Sequence, residues 1–463
     1  MKHNVSGDQK AAPSVPPLLV VIGAGAKAAA LAAKARALKK CDKGEVRVLI
    51  VEGAKIAANW TGTTGFTSGQ GTLGTPPEKD IGYPYRSEYG SEVDKALLRY
   101  SWHSYMVQLS ETSYSGWLDR GMLRPKHIDW AHYLKWVIET VKAESEEEDG
   151  SAPQITVLEE TEVKEIEPVG EKFRLTAYYK GKHAQHIEAD GVVLTGPGEP
   201  LLVEKIISRR RGLIFDGRDY WRNIDNFRKM VSGNVAVIGD GEPAASVALS
   251  LVDLTLVPRG PSLEIAIINR HGAIFTRGES YNEQKYFSNP DDWAQLDEAM
   301  RDEFIERTDR GVFSSETQRR LDRAENVYTI SGEVMAIEEL GIDKVLLNLK
   351  REKPPLEWEM VYDRVIMTMG FDPWSMLKLF PPKFQPEFNT AAEREEIYKR
   401  LRRGVDRELR LPFDFVPEIA GQKLNVHMPM VAGLSQGPGF PNLSCLGHLS
   451  DRILSTYVSS SKR

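Results

Sequence analysis

The chain has 463 residues, with 60 basic and 66 acidic side chains and a formal charge of −6. That mild acidity excludes a nucleic-acid binder working by bulk charge, and 41% apolar content allows the buried cores of two or three domains. Two cysteines, Cys41 and Cys445, exclude a disulfide framework, a CxxC zinc site and a short-spaced redox pair, and they favour a reducing, cytoplasmic setting.

Residues 1–15 lack apolar periodicity and read as a loose tail. The apolar run that begins at Leu18 carries Lys27 in its middle and Lys34, Arg36 and Lys39 beyond it. Those charges exclude a membrane span, and the glycines after Ile22 exclude a signal peptide. The run reads as a strand at Leu18–Ile22, a turn at Gly23-Ala24-Gly25 and an alanine-rich helix at Ala28–Leu38. A second strand, Val46–Val51, ends at Glu52. Asn59–Tyr89 is a long loop rich in Gly, Thr and Pro, a length that is usually functional, and Trp60, Phe66, Tyr83 and Tyr85 argue against disorder. A helical apolar stripe fills His127–Val141, and the acidic run Glu144–Asp149 reads as a solvated loop. Strands follow at Gln154–Leu158, Glu162–Ile166, Phe173–Tyr179 and Asp190–Thr195.

A second strand–glycine–helix unit begins at Val235, with its next strand at Leu263–Asn269 ending in Arg270 and another at Arg364–Met369. The expected fold is α/β with two Rossmann-like dinucleotide-binding domains. The first spans residues 16–230 and is interrupted by the second at 231–371; residues 372–463 complete the first and build a small substrate-binding part.

The first turn is Gly23-x-Gly25-x-x-Ala28. Gly23 permits the tight turn, Gly25 admits a pyrophosphate and Ala28 allows close helix packing. Glu52, 29 residues after Gly23, is placed to bind ribose hydroxyls, although about 20 residues is the usual spacing. The second turn is Gly239-Asp240-Gly241-Glu242-x-Ala244. Arg270 replaces the acid there, and a guanidinium suits a 2′-phosphate, which favours NADPH. A flavin site beside an NADPH site, without a cysteine pair, points to a flavin oxidoreductase that passes electrons to dioxygen or a small acceptor. Gly433-Leu434-Ser435-Gln436-Gly437 matches a hydrolase motif, but Pro438-Gly439-Phe440-Pro441 forbids the helix that should follow; it reads as a loop near a cofactor. His183 and His186 read as exposed, and no metal is expected.

Several stretches are diagnostic together: VIGAGAKAAALAAKA, NWTGTTGFTSGQGTLGTPPEKDIGYPYRS, YSWHSY, TRGESYNEQKYFSNPDDW, RTDRGVFS and GLSQGPGFPNLSCLGHLSDR. From Leu18 onward the chain resembles the mycobactin-type lysine N-oxygenases, members of the flavin-dependent L-lysine/L-ornithine N-hydroxylating monooxygenases of siderophore biosynthesis. The resemblance implies FAD, NADPH and dioxygen, with a C4a-hydroperoxyflavin oxygenating a neutral side-chain amine and no acid or base from the protein. L-Lysine is the implied substrate, with L-ornithine and then an aliphatic diamine as alternatives. It further implies that Lys79 of the Lys79-Asp80 pair and Ser450 of Leu449-Ser450-Asp451 hold the substrate carboxylate. Two family asparagines at the substrate fall on Gln284 and Asp309, the second changing an amide to a carboxylate. Trp60 and Gly447-His448-Leu449 are expected beside the flavin, and Arg270 on NADPH. A homo-oligomer, commonly a tetramer in the family, is also implied.

Overall fold

The computed structural model describes residues 15–64, 66–147, 152–207, 212–308, 311–414 and 424–458. Two parallel five-stranded sheets organise it. The first has the order Val426–His427, Gly191–Leu194, Leu18–Ile22, Arg47–Val51 and Ile155–Leu158. Its central strand is a continuous apolar run, as burial on both faces requires, and Leu19, Val20 and Val21 are fully buried. Helix Ala26–Lys40 lies over this sheet with thirteen consecutive residues buried, Ala26 to Leu38. Its alanines let the C-terminal helix Leu446–Leu454 and helices His127–Glu146 and Ser91–Leu98 approach closely.

The second sheet has the order Ile214–Asp216, Arg364–Met367, Ser232–Ile238, Ser262–Asn269 and Val327–Ser331. Ile214–Asp216 pairs with Arg364–Met367, and Lys205–Ile206 pairs with Glu333–Leu340, so elements of the second unit begin before residue 231. Strands of two or three residues are too short to carry a periodic signal. The C-terminal segment returns to the first sheet, where Val426 and His427 pair with Val192 and Val193.

Helix His127–Glu146 runs through the start of the acidic stretch. Glu144 accepts from Tyr100 Oη at 2.7 Å and pairs with Lys40 and Arg99, which holds that turn helical instead of solvated. His183 and His186 are exposed on the three-stranded antiparallel sheet formed by residues 161–169, 172–179 and 183–189. Among the described residues no cluster of three or more metal ligands occurs, and no helix is long and apolar enough to cross a membrane.

Candidate active site and cofactor turns

Gly23 adopts φ +102°, and a Cβ there would stand 2.5 Å from Thr195 Oγ1. Gly25 precedes helix Ala26–Lys40, which no side chain caps, and nothing lies within 4 Å of the place its Cβ would occupy. The result is an open cradle at a helix N-terminus, the shape and partial charge a pyrophosphate needs. Ala28 is fully buried. The long spacing to Glu52 is immaterial, because Ile22 and Val51 are register partners. Glu52 Oε2 accepts from Ala24 N and Oε1 from Ala54 N, both at 2.8 Å, which aims the carboxylate across the turn where a ribose fits.

The second turn repeats the geometry. Gly239 has φ +139°, its Cβ would stand 2.6 Å from the Thr368 carbonyl, and Gly241 precedes helix Glu242–Leu256 without a side-chain cap. Gly239, Asp240 and Arg270 line one cavity of about 360 Å³, walled by Leu201, Met335 and Met369. Arg270 is exposed and, among the described residues, reaches only its neighbour His271, at 3.2 Å. Asn269 Nδ2 is buried in the same wall without a partner among the described residues. Glu242 turns away from this cavity to Arg277, 3.3 Å distant, and burial raises its pKa. Both turns therefore fit a dinucleotide.

A larger cavity, about 660 Å³, is lined by Lys79, Tyr83, Arg277, Gln284, Asn442 and Ser444, among others. Lys79 Nζ donates to Gln284 Oε1 at 3.1 Å and lies 5.5 Å from the Tyr83 ring centroid; burial lowers its pKa. Gln284 Nε2 donates to the Gly278 carbonyl, so the amide is pinned from both ends. Its helix, Tyr281–Ser288, starts in a capping box made by Ser280 and Glu283. Asp80 points the other way. It is buried and accepts from Gly82 N, Tyr85 Oη and Trp102 N, and burial lifts its pKa to about 6. The Lys–Asp pair is divided between a cavity cation and a loop anchor.

Other expected site residues are placed differently. Ser450 is fully buried and returns its hydroxyl to the Leu446 and Gly447 carbonyls, both at 3.0 Å; Ser444 lines the cavity in its stead. Asp451 pairs with Lys34 in the interior. Leu449 belongs to the apolar core. Gly447 donates to the Tyr83 carbonyl at 2.7 Å, and a Cβ would stand 2.3 Å from the Gly82 carbonyl, so it welds the C-terminal helix to the Lys79 loop. His448 is half-buried, and burial lowers its pKa. Trp60 packs edge-on against His127 at 5.3 Å and lines neither cavity. Asp309 lies outside the described residues. Sequence reasoning missed Arg277, Asn442 and Ser444, although all three sit in stretches that carry the family resemblance.

A family model described as L-lysine 6-monooxygenase/L-ornithine 5-monooxygenase matches residues 97–373. L-lysine N6-monooxygenase MbtG of Mycolicibacterium paratuberculosis is 34% identical over 441 residues, covering 94% of both chains. The protein of the same name from Mycobacterium tuberculosis is 34% identical over 443 residues, 95% of this chain and 94% of its own. Among solved structures, the lysine monooxygenase NbtG from Nocardia farcinica superposes with a TM-score of 0.74 at 31% identity, covering 94% of this chain and 99% of its own. On the sequence match and on the shared architecture alike, the chain belongs to the L-lysine 6-monooxygenase/L-ornithine 5-monooxygenase family.

Proposed function

We propose that the protein is an FAD- and NADPH-dependent monooxygenase that hydroxylates the side-chain nitrogen of L-lysine for the synthesis of a hydroxamate siderophore. The named relatives support lysine over ornithine. The observation that carries the reading is the Lys79–Gln284 contact, which places a fixed cation in the large cavity. Gly23, Gly25 and Glu52 hold FAD; Gly239, Asp240 and Arg270 hold NADPH. Bound FAD, once reduced by NADPH, supplies the activated oxygen.

Lys79 receives the α-carboxylate, and Gln284 holds its ammonium in place. Arriving carboxylate restores the charge that burial disfavours at Lys79. Ser444 and Asn442 offer further polar contacts in the lining of the same cavity. The reacting amine must be neutral, so coupled activity rises above neutral pH, as the free lysine pKa of about 10.4 requires. A cytoplasmic homo-oligomer belongs to the same reading, and light scattering on the purified holoprotein reads its mass.

The test is hydroxylamine formed per NADPH consumed, with lysine, ornithine, putrescine and cadaverine compared. Lysine should couple best. Lys79→Ala should raise the lysine KM roughly ten- to a hundredfold, the loss of a charge-assisted contact, and leave cadaverine unchanged. Equal coupling for cadaverine, with an unchanged lysine KM in the variant, would establish a diamine hydroxylase instead.

A further inference from the structure

Beside the first glycine turn lies a buried cation with no role so far. Lys27 stands in the first turn of helix Ala26–Lys40, next to the Gly25 cradle, and only 9% of it is exposed. Its Nζ donates to the Pro441 carbonyl at 2.8 Å and meets Met430 Sδ at 3.4 Å. An ammonium has three donors, so one is unspent. Among the described residues no carboxylate pairs with it, and burial pulls its pKa down to about 8.

Its surroundings sharpen the imbalance. The Cys445 thiol is influenced by Lys27, Lys79 and Arg452, and burial pushes it up to about 12, so it stays neutral and offers no counter-charge. Arg452 is spent on Gln436 Oε1 at 2.9 Å and on the face of Phe440. Cys445 opens helix Leu446–Leu454, which no side chain caps. Lys27 and Lys79 thus act on a neutral thiol at a helix N-terminus, whereas Arg452 is also balanced by the carboxylates of Glu88 and Asp291. Buried charge is otherwise paired or holds a ligand. The position is telling as well. A flavin anchored at Gly25 must reach the cavity of Lys79 and Ser444; Lys27 follows Gly25 by two residues, and its acceptor Pro441 directly precedes Asn442 of that cavity's wall.

We propose that Lys27 is the counter-charge of the flavin ring, holding the negative charge that reduction leaves there and so setting how readily NADPH reduces it. Hydride transfer moves two electrons and one proton from NADPH to the neutral oxidised ring. NADP⁺ is the other product, and Lys27 would face a ring with one negative charge. The inference rests on FAD binding as proposed above.

The test uses the holoprotein. Lys27→Gln keeps a donor for the Pro441 carbonyl and removes the charge, whereas Lys27→Arg keeps the charge. FAD affinity is read by equilibrium dialysis, and the two-electron potential of bound flavin by anaerobic titration against reference dyes. Lys27→Gln should bind oxidised FAD within a few-fold of wild type and reduced FAD at least tenfold more weakly. That is a potential about 30 mV more negative for a two-electron couple. Lys27→Arg should stay near wild type. Should the Gln variant not fold, Lys27→Met suits the apolar site and gives the same readout. An unchanged potential in a neutral variant that still holds FAD overturns the proposal and leaves Lys27 a tether for Pro441. Absence of FAD from the wild type instead removes the proposed function itself.

Discussion

Lys34 and Asp451 form an ion pair that is almost fully shielded from solvent, their side chains 1% and 0% exposed. It joins the helix of the first glycine turn to the C-terminal helix, and the carboxylate also accepts from Ser87 Oγ at 2.9 Å and Glu88 N at 3.1 Å. The two partners are not equivalent. Lys34→Met leaves Asp451 two donors, but Asp451→Ala leaves a buried ammonium with no hydrogen-bond acceptor among the described residues. Breaking a buried pair typically costs about 3–5 kcal/mol. Asp451→Ala should fall in that range and Lys34→Met below it, as measured by urea unfolding. The reverse order would mean that the loop donors at 87 and 88 contribute nothing.

The two glycines of the first turn should fail in different ways. Gly25 has extended backbone with open space around it, so Gly25→Val should fold normally and fill the cradle, weakening FAD more than tenfold. Gly23 has positive φ and Thr195 against it, so Gly23→Ala should lower stability even without FAD. Flavin fluorescence and thermal melts separate the two. Normal FAD binding by Gly25→Val would move the flavin elsewhere.

Arg270 has no acidic partner among the described residues and stands at the rim of the smaller cavity. Arg270→Ala should weaken NADPH roughly ten- to a hundredfold and leave NADH nearly unchanged. Steady-state KM values for both nucleotides decide it; equal losses would place the phosphate contact on another residue.

His427 is fully buried, with Nδ1 donating to the Glu408 carbonyl at 2.7 Å and Nε2 accepting from Tyr457 Oη at 2.8 Å. That arrangement requires the neutral ring, and burial lowers the pKa to about 4 from 6.5. The unfolded chain therefore binds a proton that the fold refuses, and stability falls as pH drops from 6.5 towards 4. At pH 5 the loss is about 2 kcal/mol, at 1.36 kcal/mol per pH unit. His427→Gln should be less stable at pH 7 yet lose less between pH 7 and pH 5. An identical acid limb in the two proteins would assign the pH dependence to other groups.

What could be read from the chain is what its chemistry fixes locally. Gly23 and Gly239 announce themselves because their positive φ and close neighbours exclude other residues. Lys79 and Gln284 came from the family motifs, and the fold brings them into contact across 205 positions. Ser450 misled because a serine in a signature looks like a substrate ligand, whereas inside a helix it bonds back to its own carbonyls. The Lys34–Asp451 pair spans 417 positions, and nothing local at either end points to the other. The strand at Ile214–Asp216 exists because Arg364–Met367 offers it an edge, not because three residues specify a strand.

The pairing of His427 with Val193 also sets a timetable. The nucleotide half that begins the chain waits for its last strand until more than 200 further residues have left the ribosome. At about 5–20 residues per second, that delay is on the order of 10–50 s. The inserted unit, whose sheet is complete by Met367, can fold in the interval. During nascent growth the open edge at Gly191–Leu194 is exposed to wrong partners, so slowing translation between Met367 and Val426 should lower the yield of native protein.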